Sequence, residues 1–272
     1  SLMVGRQVED LYPRSPRRAG EVVLEVKDLA GVGKPTSASL KLHRGEVLGI
    51  AGLIGAGRTE LLRSIFGLDP VRTGQIKLGL YTGPASPVRR WMQGAGILSE
   101  DRKEEGLALA LSISDNVTLS RLKGFGPLGF VLPGRQDKAA RRWIEKLGIR
   151  CRSPRQSVLS LSGVNQQRVA LARLLQHDVD VLLLDEPTRG IDVAAKAMIY
   201  KLIDELAGGQ SPKAVLMVSS YLPELLGVCD RVAVMCRGRL GPTHKIEDID
   251  EHSLMLEATG QALETRGGEA SV

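Results

Sequence analysis

Apolar residues along this chain recur with two periods. "EVVLEVKDL" (21–29) is rich in strand-forming residues, and in "ASLKL" the residues Ala38, Leu40 and Leu42 alternate with polar ones, the period of a half-buried strand. "VLGIA" (47–51), "VDVLLLD" (179–185), "AVLMVSS" (214–220) and "RVAVMC" (231–236) are instead nearly continuous apolar runs, the pattern of strands buried on both faces. Helical stripes lie between them. Leu61, Leu62, Ile65 and Phe66 form one, with Gly67 placed to end it in a left-handed turn. Ala140, Trp143, Ile144 and Leu147 form a second, ended by Gly148. A third helix is predicted from Asn165 to Gln176. Ile199, Leu202, Ile203 and Leu206 form the last, stopped by two glycines.

Strands alternating with helices predict an α/β fold with a mostly parallel sheet covered by helices. Residues of about 107–158 break the rhythm. They carry no strand pattern, Asp115 is placed to cap a short helix, and "GFGPLGFVLPG" reads as a loop, so an inserted helical subdomain is expected there. Residues 1–20, with Pro13, Pro16 and no periodicity, read as a linker, and 261–272 as a flexible tail.

Composition narrows the classes. At 272 residues, 43% hydrophobic and 25% charged, the chain is globular, and at only 3% aromatic its core must be aliphatic; the scarcity also argues against a surface that reads single-stranded nucleic acid by stacking bases. The net charge of +6 admits anionic partners. The excess is densest between Arg135 and Arg155, where the ordinary reading is a solvated helix face and the other a lipid- or partner-facing patch. Cys151, Cys229 and Cys236 lack metal or disulfide spacing and read as small apolar residues; the four histidines are scattered. The longest apolar stretch, "VLGIAGLIGAG", is too short and glycine-rich to span a bilayer.

Chemistry concentrates at "GLIGAGRT" (52–59). Strand, glycine loop and helix follow in order, and Gly52, Gly55 and Gly57 let backbone N–H groups form an anion nest at a helix N-terminus. Arg58 and Glu60 flank the nest, and Thr59 is placed to offer its hydroxyl to a Mg²⁺ held by phosphates. Downstream, "VDVLLLDEPT" ends in Asp185 and Glu186, which then emerge at the carboxyl edge of the sheet, where open α/β folds bind ligands. Asp185 would orient the metal and Glu186 would polarise an attacking water. In "LSLSGVNQQRVALAR", Ser162 precedes a helix as its N-cap, with Gly163 keeping the approach open.

In that order, and across nearly the whole chain, these elements resemble the nucleotide-binding domain of ABC transporters. "LSGVNQQRVALAR", with Ser162, Gly163 and Asn165, is similar to the family's signature motif, "LLLDEPT" to its Walker B strand and "RGID", ending in Asp192, to its D-loop. "GAGRTELL", "SEDRKEEGL", "LDEPTRGID" and "VSSYLPELLGVCDRVAVM" resemble more narrowly the second half of the tandem ATP-binding subunits of bacterial ribose, galactose and xylose importers. The resemblance implies a P-loop NTPase core over 21–260 with a small antiparallel β subdomain and a helical insertion. It implies ATP and Mg²⁺ as ligands, and a first-half nucleotide-binding domain in the same polypeptide as partner. Membrane permease subunits, and indirectly a periplasmic sugar-binding protein, would complete a system at the cytoplasmic face of the inner membrane. Nucleic acid is not an expected partner.

Departures from the family pattern fall at the chemistry. Arg58 replaces the loop lysine, and a planar guanidinium is no substitute for a compact ammonium at the phosphates. Glu100 stands at the Q-loop glutamine and Ser220 at the switch histidine. Their losses predict a degenerate, slow site, since each positioned contact is worth about 10²–10³-fold. Val164 replaces the second signature glycine, and its β-branched side chain disfavours positive φ. "AGVGKPTS" (30–37) offers no aromatic to stack adenine. Two readings follow: a weakly hydrolytic ATP-binding half, or a non-hydrolytic dimerisation and coupling module.

Overall fold

The computed structural model describes residues 11–261. Two sheets meet across an aliphatic core. The first is antiparallel and four-stranded, with β1 (Val22–Gly31), β2 (Ala38–His43), β4 (Val71–Leu78) and β5 (Tyr81–Thr82) in the order β2-β1-β4-β5. The second has six strands, β3 (Val47–Gly52), β6 (Ala95–Leu98), β7 (Val181–Asp185), β8 (Ala214–Val218), β9 (Arg231–Cys236) and β10 (Arg239–Lys245), in the order β10-β9-β3-β8-β7-β6. All its pairings are parallel except that of β10 with β9.

The continuous apolar runs are explained by what covers them. Alternate residues of a strand face opposite ways, and here both ways lead to core. Ile97, Leu183, Leu216 and Val218 pack with the antiparallel sheet and with Leu61, Leu62 and Ile65 of α1 (Arg58–Phe66). Leu98, Leu182, Leu184, Val215 and Met217 pack with helices on the other face: α5 (Gly163–His177), α6 (Val193–Gly208), α7 (Leu222–Val228) and α8 (Glu251–Thr259). Gly67 ends α1 at φ 88°, as its position predicts.

Between β6 and β7 lie a π-helical turn (Arg102–Gly106) and the short helix α3 (Ile113–Thr118). α4 (Pro133–Lys146) follows, and α2 (Pro87–Met92) precedes β6. Asp115 does not cap α3. Ser112 does, its hydroxyl accepting from the Asp115 N–H and donating to the Asp115 carboxylate, because the chain enters the helix three residues earlier than the acidic residue suggests. α5 begins at Gly163 rather than Asn165.

Residues 11–20 lie against the domain. Tyr12 stacks on Tyr200 at 5.1 Å. The guanidinium of Arg17, 4% exposed, pairs with Asp204 at 2.7 Å and with Asp230 at 3.0 Å. Absence of periodicity hid these contacts, which are made by side chains one at a time. Residues 1–10 of the expected linker, and 262–272 of the expected tail, lie outside the described residues.

Candidate functional site

The phosphate-loop candidate is built where β3 turns into α1. Gly55 at φ 76° and Gly57 at φ 112° hold the left-handed backbone that side-chain-bearing residues avoid, and a Cβ on Gly52 would lie 2.4 Å from the Met235 carbonyl. Around Gly55 the direction of a Cβ is open space. No side chain caps α1, so its first N–H groups are left for a ligand. The backbone is therefore that of an anion cradle.

Beside it, β7 delivers two carboxylates. Asp185 is 1% exposed, and its Oδ1 is buried with no hydrogen-bond partner among the described residues. Burial pushes its carboxyl up to about 6, while the Thr59 hydroxyl pulls in the other direction. A buried carboxylate with one orphan oxygen, beside the Thr59 hydroxyl, fits a divalent cation that takes its other ligands from phosphate and water, the Mg²⁺ pattern. Among the described residues no group of three His, Cys, Asp or Glu gathers, and Asp185 and Thr59 are the residues that could hold such an ion. Glu186 follows at φ 44°, a backbone state rare for a side-chain-bearing residue.

Glu186 is already engaged. The Arg58 Nη2 lies 3.3 Å from its Oε1, both side chains being about nine-tenths buried. Burial holds the Glu186 carboxyl above its ordinary value, against the hydrogen bond with Ser220 and the charge of Arg58. Burial also lowers the Arg58 guanidinium, and Arg58 Nη1 has no hydrogen-bond partner among the described residues. The loop cation is thus drawn toward the end of β7. Its long stem allows this: Arg58 runs under the loop, its Cδ near the position a Gly52 Cβ would take.

Glu100 makes an ion pair with Arg189, beyond the Asp185–Thr188 turn. Ser220 reaches Glu186. Glu60 is near enough to both Asp185 and Arg58 to act on their charge. Asp192 caps α6, accepting from the Ala195 N–H at 2.9 Å.

The signature candidates form a separate group at the start of α5. Ser162 occupies the N-cap position, but its hydroxyl makes no cap bond. It accepts from Asn165 Nδ2 at 2.9 Å, while Asn165 Oδ1 accepts from the Arg150 N–H at 2.9 Å. Asn165 is a buried brace, and Ser162 and Gly163 stay exposed. Arg102 Nη1 donates to the Gly163 carbonyl at 2.7 Å. Val164 lies within the first helical turn and has no positive φ, so its β-branch imposes no backbone strain.

Two buried side chains, not singled out within the stretches that contain them, brace the turn after β7. Glu224, 1% exposed on α7, accepts from Thr188 and from Ser219, each at 2.6 Å, tying the turn after β7 to the end of β8. Gln167 donates to the Pro187 carbonyl at 2.9 Å, linking α5 to the same turn. Their only signal in sequence is a polar residue at an otherwise apolar helical position.

Residues 36–189, more than half of the chain, match the family described as "ABC transporter". The chain belongs to the ABC transporter family. It is an ABC ATPase domain by homology: the ribose import ATP-binding protein RbsA 3 of Rubrobacter xylanophilus is 46% identical over 260 residues, covering 95% of this chain and 52% of that protein. The arabinose import ATP-binding protein AraG of Azospirillum brasilense is 44% identical over 240 residues, covering 88% and 46%. The chain thus spans about half the length of these curated relatives. Among solved structures, a dimeric post-hydrolysis state of an ATP-binding cassette bound to ADP and phosphate superposes with TM-score 0.71 at 21% identity, covering 82% of this chain and 98% of the other. A nucleotide-free cassette does so with TM-score 0.71 at 18%, covering 85% and 97%. At such identities the likeness is one of fold, and it establishes the P-loop ABC cassette architecture.

Proposed function

We propose that this cassette binds Mg·ATP and serves a carbohydrate importer, pairing with a second nucleotide-binding domain and hydrolysing its own nucleotide slowly. The observation that carries the slow site is the Arg58–Glu186 pair: the carboxylate that would polarise water holds the cation that would hold phosphate. Burial holds the Glu186 carboxyl above its ordinary value, but the ion pair occupies the carboxylate that would accept from water, and turning the guanidinium toward phosphate leaves Glu186 to Ser220 alone. Ser220 is short and neutral, so the attacking water loses a positioned contact there. In this scheme the Gly52–Gly57 backbone orients the phosphates and Glu186 orients the water. Asp185 and Thr59 would hold Mg²⁺, which when bound would supply charge neutralisation for the phosphates.

Sugar import is supported by relatives named for ribose and arabinose import, each about twice the length of this chain. On that footing the partner cassette is the first half of a tandem polypeptide. Ser162 and Gly163 face that half's ATP, with buried Asn165 bracing Ser162 from beneath rather than facing the nucleotide itself, and Asp192 lies at the junction. The permease subunits lie above, with a periplasmic sugar-binding protein beyond them, and the domain works at the cytoplasmic face of a bacterial inner membrane. Residues 21–260 make the cassette, with the helical insertion at about 107–158.

The Arg58–Glu186 pair also favours a second reading, a coupling module that holds nucleotide without splitting it. Single-turnover hydrolysis of bound ATP separates the two. Slow hydrolysis lost in Glu186→Gln supports the first; bound ATP that is not hydrolysed supports the second, and slow hydrolysis indifferent to Glu186→Gln contradicts the role of Glu186. Rapid hydrolysis in the wild-type protein contradicts both.

A further inference from the structure

The loop between β1 and β2 lies across the phosphate loop. Lys34 is exposed, and its Nζ donates to the carbonyl oxygen of Gly55, within the cradle. Its stem runs beside Gly57, where an added Cβ would lie 3.2 Å from Lys34 Cβ and 3.3 Å from Cδ. The backbone around it is fastened. Gly31 N–H donates to the Pro35 carbonyl at 2.8 Å, Thr36 N–H to the Gly238 carbonyl at 2.7 Å, and Gly238 N–H to the Ala56 carbonyl at 2.7 Å. Lysine-bearing loop, β9–β10 turn and phosphate loop are therefore one hydrogen-bonded unit, which fixes where the base of Lys34 sits and leaves its terminal bonds free to turn.

The two cations at this cradle have opposite environments. Arg58, in the position that ordinarily supplies charge to the phosphates, is buried and committed to Glu186. Lys34 reaches the rim at Gly55, where an added Cβ would meet no atom of the described residues within 4 Å. An ammonium on a lone carbonyl exchanges it readily for phosphate oxygens, since charge-assisted bonds are shorter and stronger than neutral ones. A compact ammonium is also the group whose loss at position 58 the guanidinium cannot make good.

We propose that Lys34 supplies, from the β1–β2 loop, the ammonium this phosphate loop lacks, and that it binds the polyphosphate of a nucleoside di- or triphosphate. The proposal rests on the nucleotide-binding reading above. It makes affinity at this site depend on phosphate chain length through a residue outside the loop motif.

The test is calorimetric titration of Mg·ATP, Mg·ADP and AMP into the wild-type protein, Lys34→Met and Lys34→Met with Arg58→Lys. Methionine keeps the stem packed along Gly57 and removes only the charge. ATP and ADP are expected to bind roughly 10–100-fold more weakly to Lys34→Met, the worth of a hydrogen bond to a charged group, with AMP changed less than about threefold. Arg58→Lys is expected to restore most of the loss, which a lysine that merely braced the loop would not allow. Equal ATP affinity in Lys34→Met, or an equal loss for AMP and ATP, overturns the role of Lys34 and leaves the nucleotide site standing. Failure of the wild-type protein to bind Mg·ATP at millimolar concentration overturns the nucleotide-binding reading itself and this assignment with it.

Discussion

The cradle at residues 52–60 and the exposed end of α5 at residues 162–165 both present helix N-terminal N–H groups, yet their side chains do opposite things. At the cradle the side chains answer one another: the Arg58 charge with that of Glu186, and the Ser220 and Thr59 hydroxyls with the Glu186 and Asp185 carboxyls. At the signature end the side chains brace the backbone from beneath, Asn165 holding Ser162 and Arg102 holding the Gly163 carbonyl, so that Ser162 is presented outward. A site can keep its backbone geometry while its side-chain electrostatics turn inward. On the proposed reading, that difference suits this cassette more to completing a partner's site than to running its own.

The largest expected effect breaks the comparison from the signature side. In the assembled pair, Ser162→Arg should lower ATP turnover at the facing site by about 10²–10³-fold, the scale of losing a positioned donor. Glu186→Gln should change total turnover less than about threefold. Steady-state hydrolysis by the two variants checks this, and the reverse ranking would place the active site in this half.

Next comes the buried carboxylate beneath the cradle. Glu224→Ala leaves Thr188 and Ser219 without their acceptor and should cost roughly 2–3 kcal/mol in urea unfolding. Asn165→Ala, at the better-solvated signature end, should cost about 1 kcal/mol.

Asp185 gives a gain of comparable size with a defined pH window. Its carboxyl titrates near 6 when folded, against 3.8 unperturbed, so the folded state holds this proton more tightly than the unfolded one. The stabilisation from that proton is full below about 3.8 and is lost as pH rises through 6. Asp185→Asn should therefore stabilise the nucleotide-free protein by roughly 2–3 kcal/mol at pH 7.5 and by almost nothing below pH 4. It should also weaken Mg²⁺-dependent nucleotide binding. A destabilised Asp185→Asn at pH 7.5 would mean that the buried carboxylate is satisfied by contacts other than a metal.

The strands buried on both faces were legible because their neighbours on both sides are apolar, which leaves no alternation to misread. β4, β6 and β10 escaped notice for the opposite reason. β4 carries Gly74 and a mostly exposed face, β6 has only four residues, and β10 includes Pro242 and Lys245 on an edge. The cradle glycines, Asp185 and Glu186 were visible from spacing, since a phosphate loop needs its residues close in sequence. Lys34, Gln167 and Glu224 were not, because each reaches the site from a different element and only the fold brings them there. Ser162 shows the limit at a single residue. Its position at the helix start was readable, but the partner of its hydroxyl was not.

The most direct test of the inward-turned cradle is titration of Mg·ATP into the wild-type protein, Arg58→Ala, Glu186→Gln and the double variant. If Glu186 holds Arg58 away from the phosphates, Arg58→Ala binds within a few-fold of wild type. Glu186→Gln then binds about tenfold or more tightly as the guanidinium is released, and the double variant loses that gain. A hundredfold loss in Arg58→Ala alone, with Glu186→Gln unchanged, would show that Arg58 already serves the phosphates and would contradict the account.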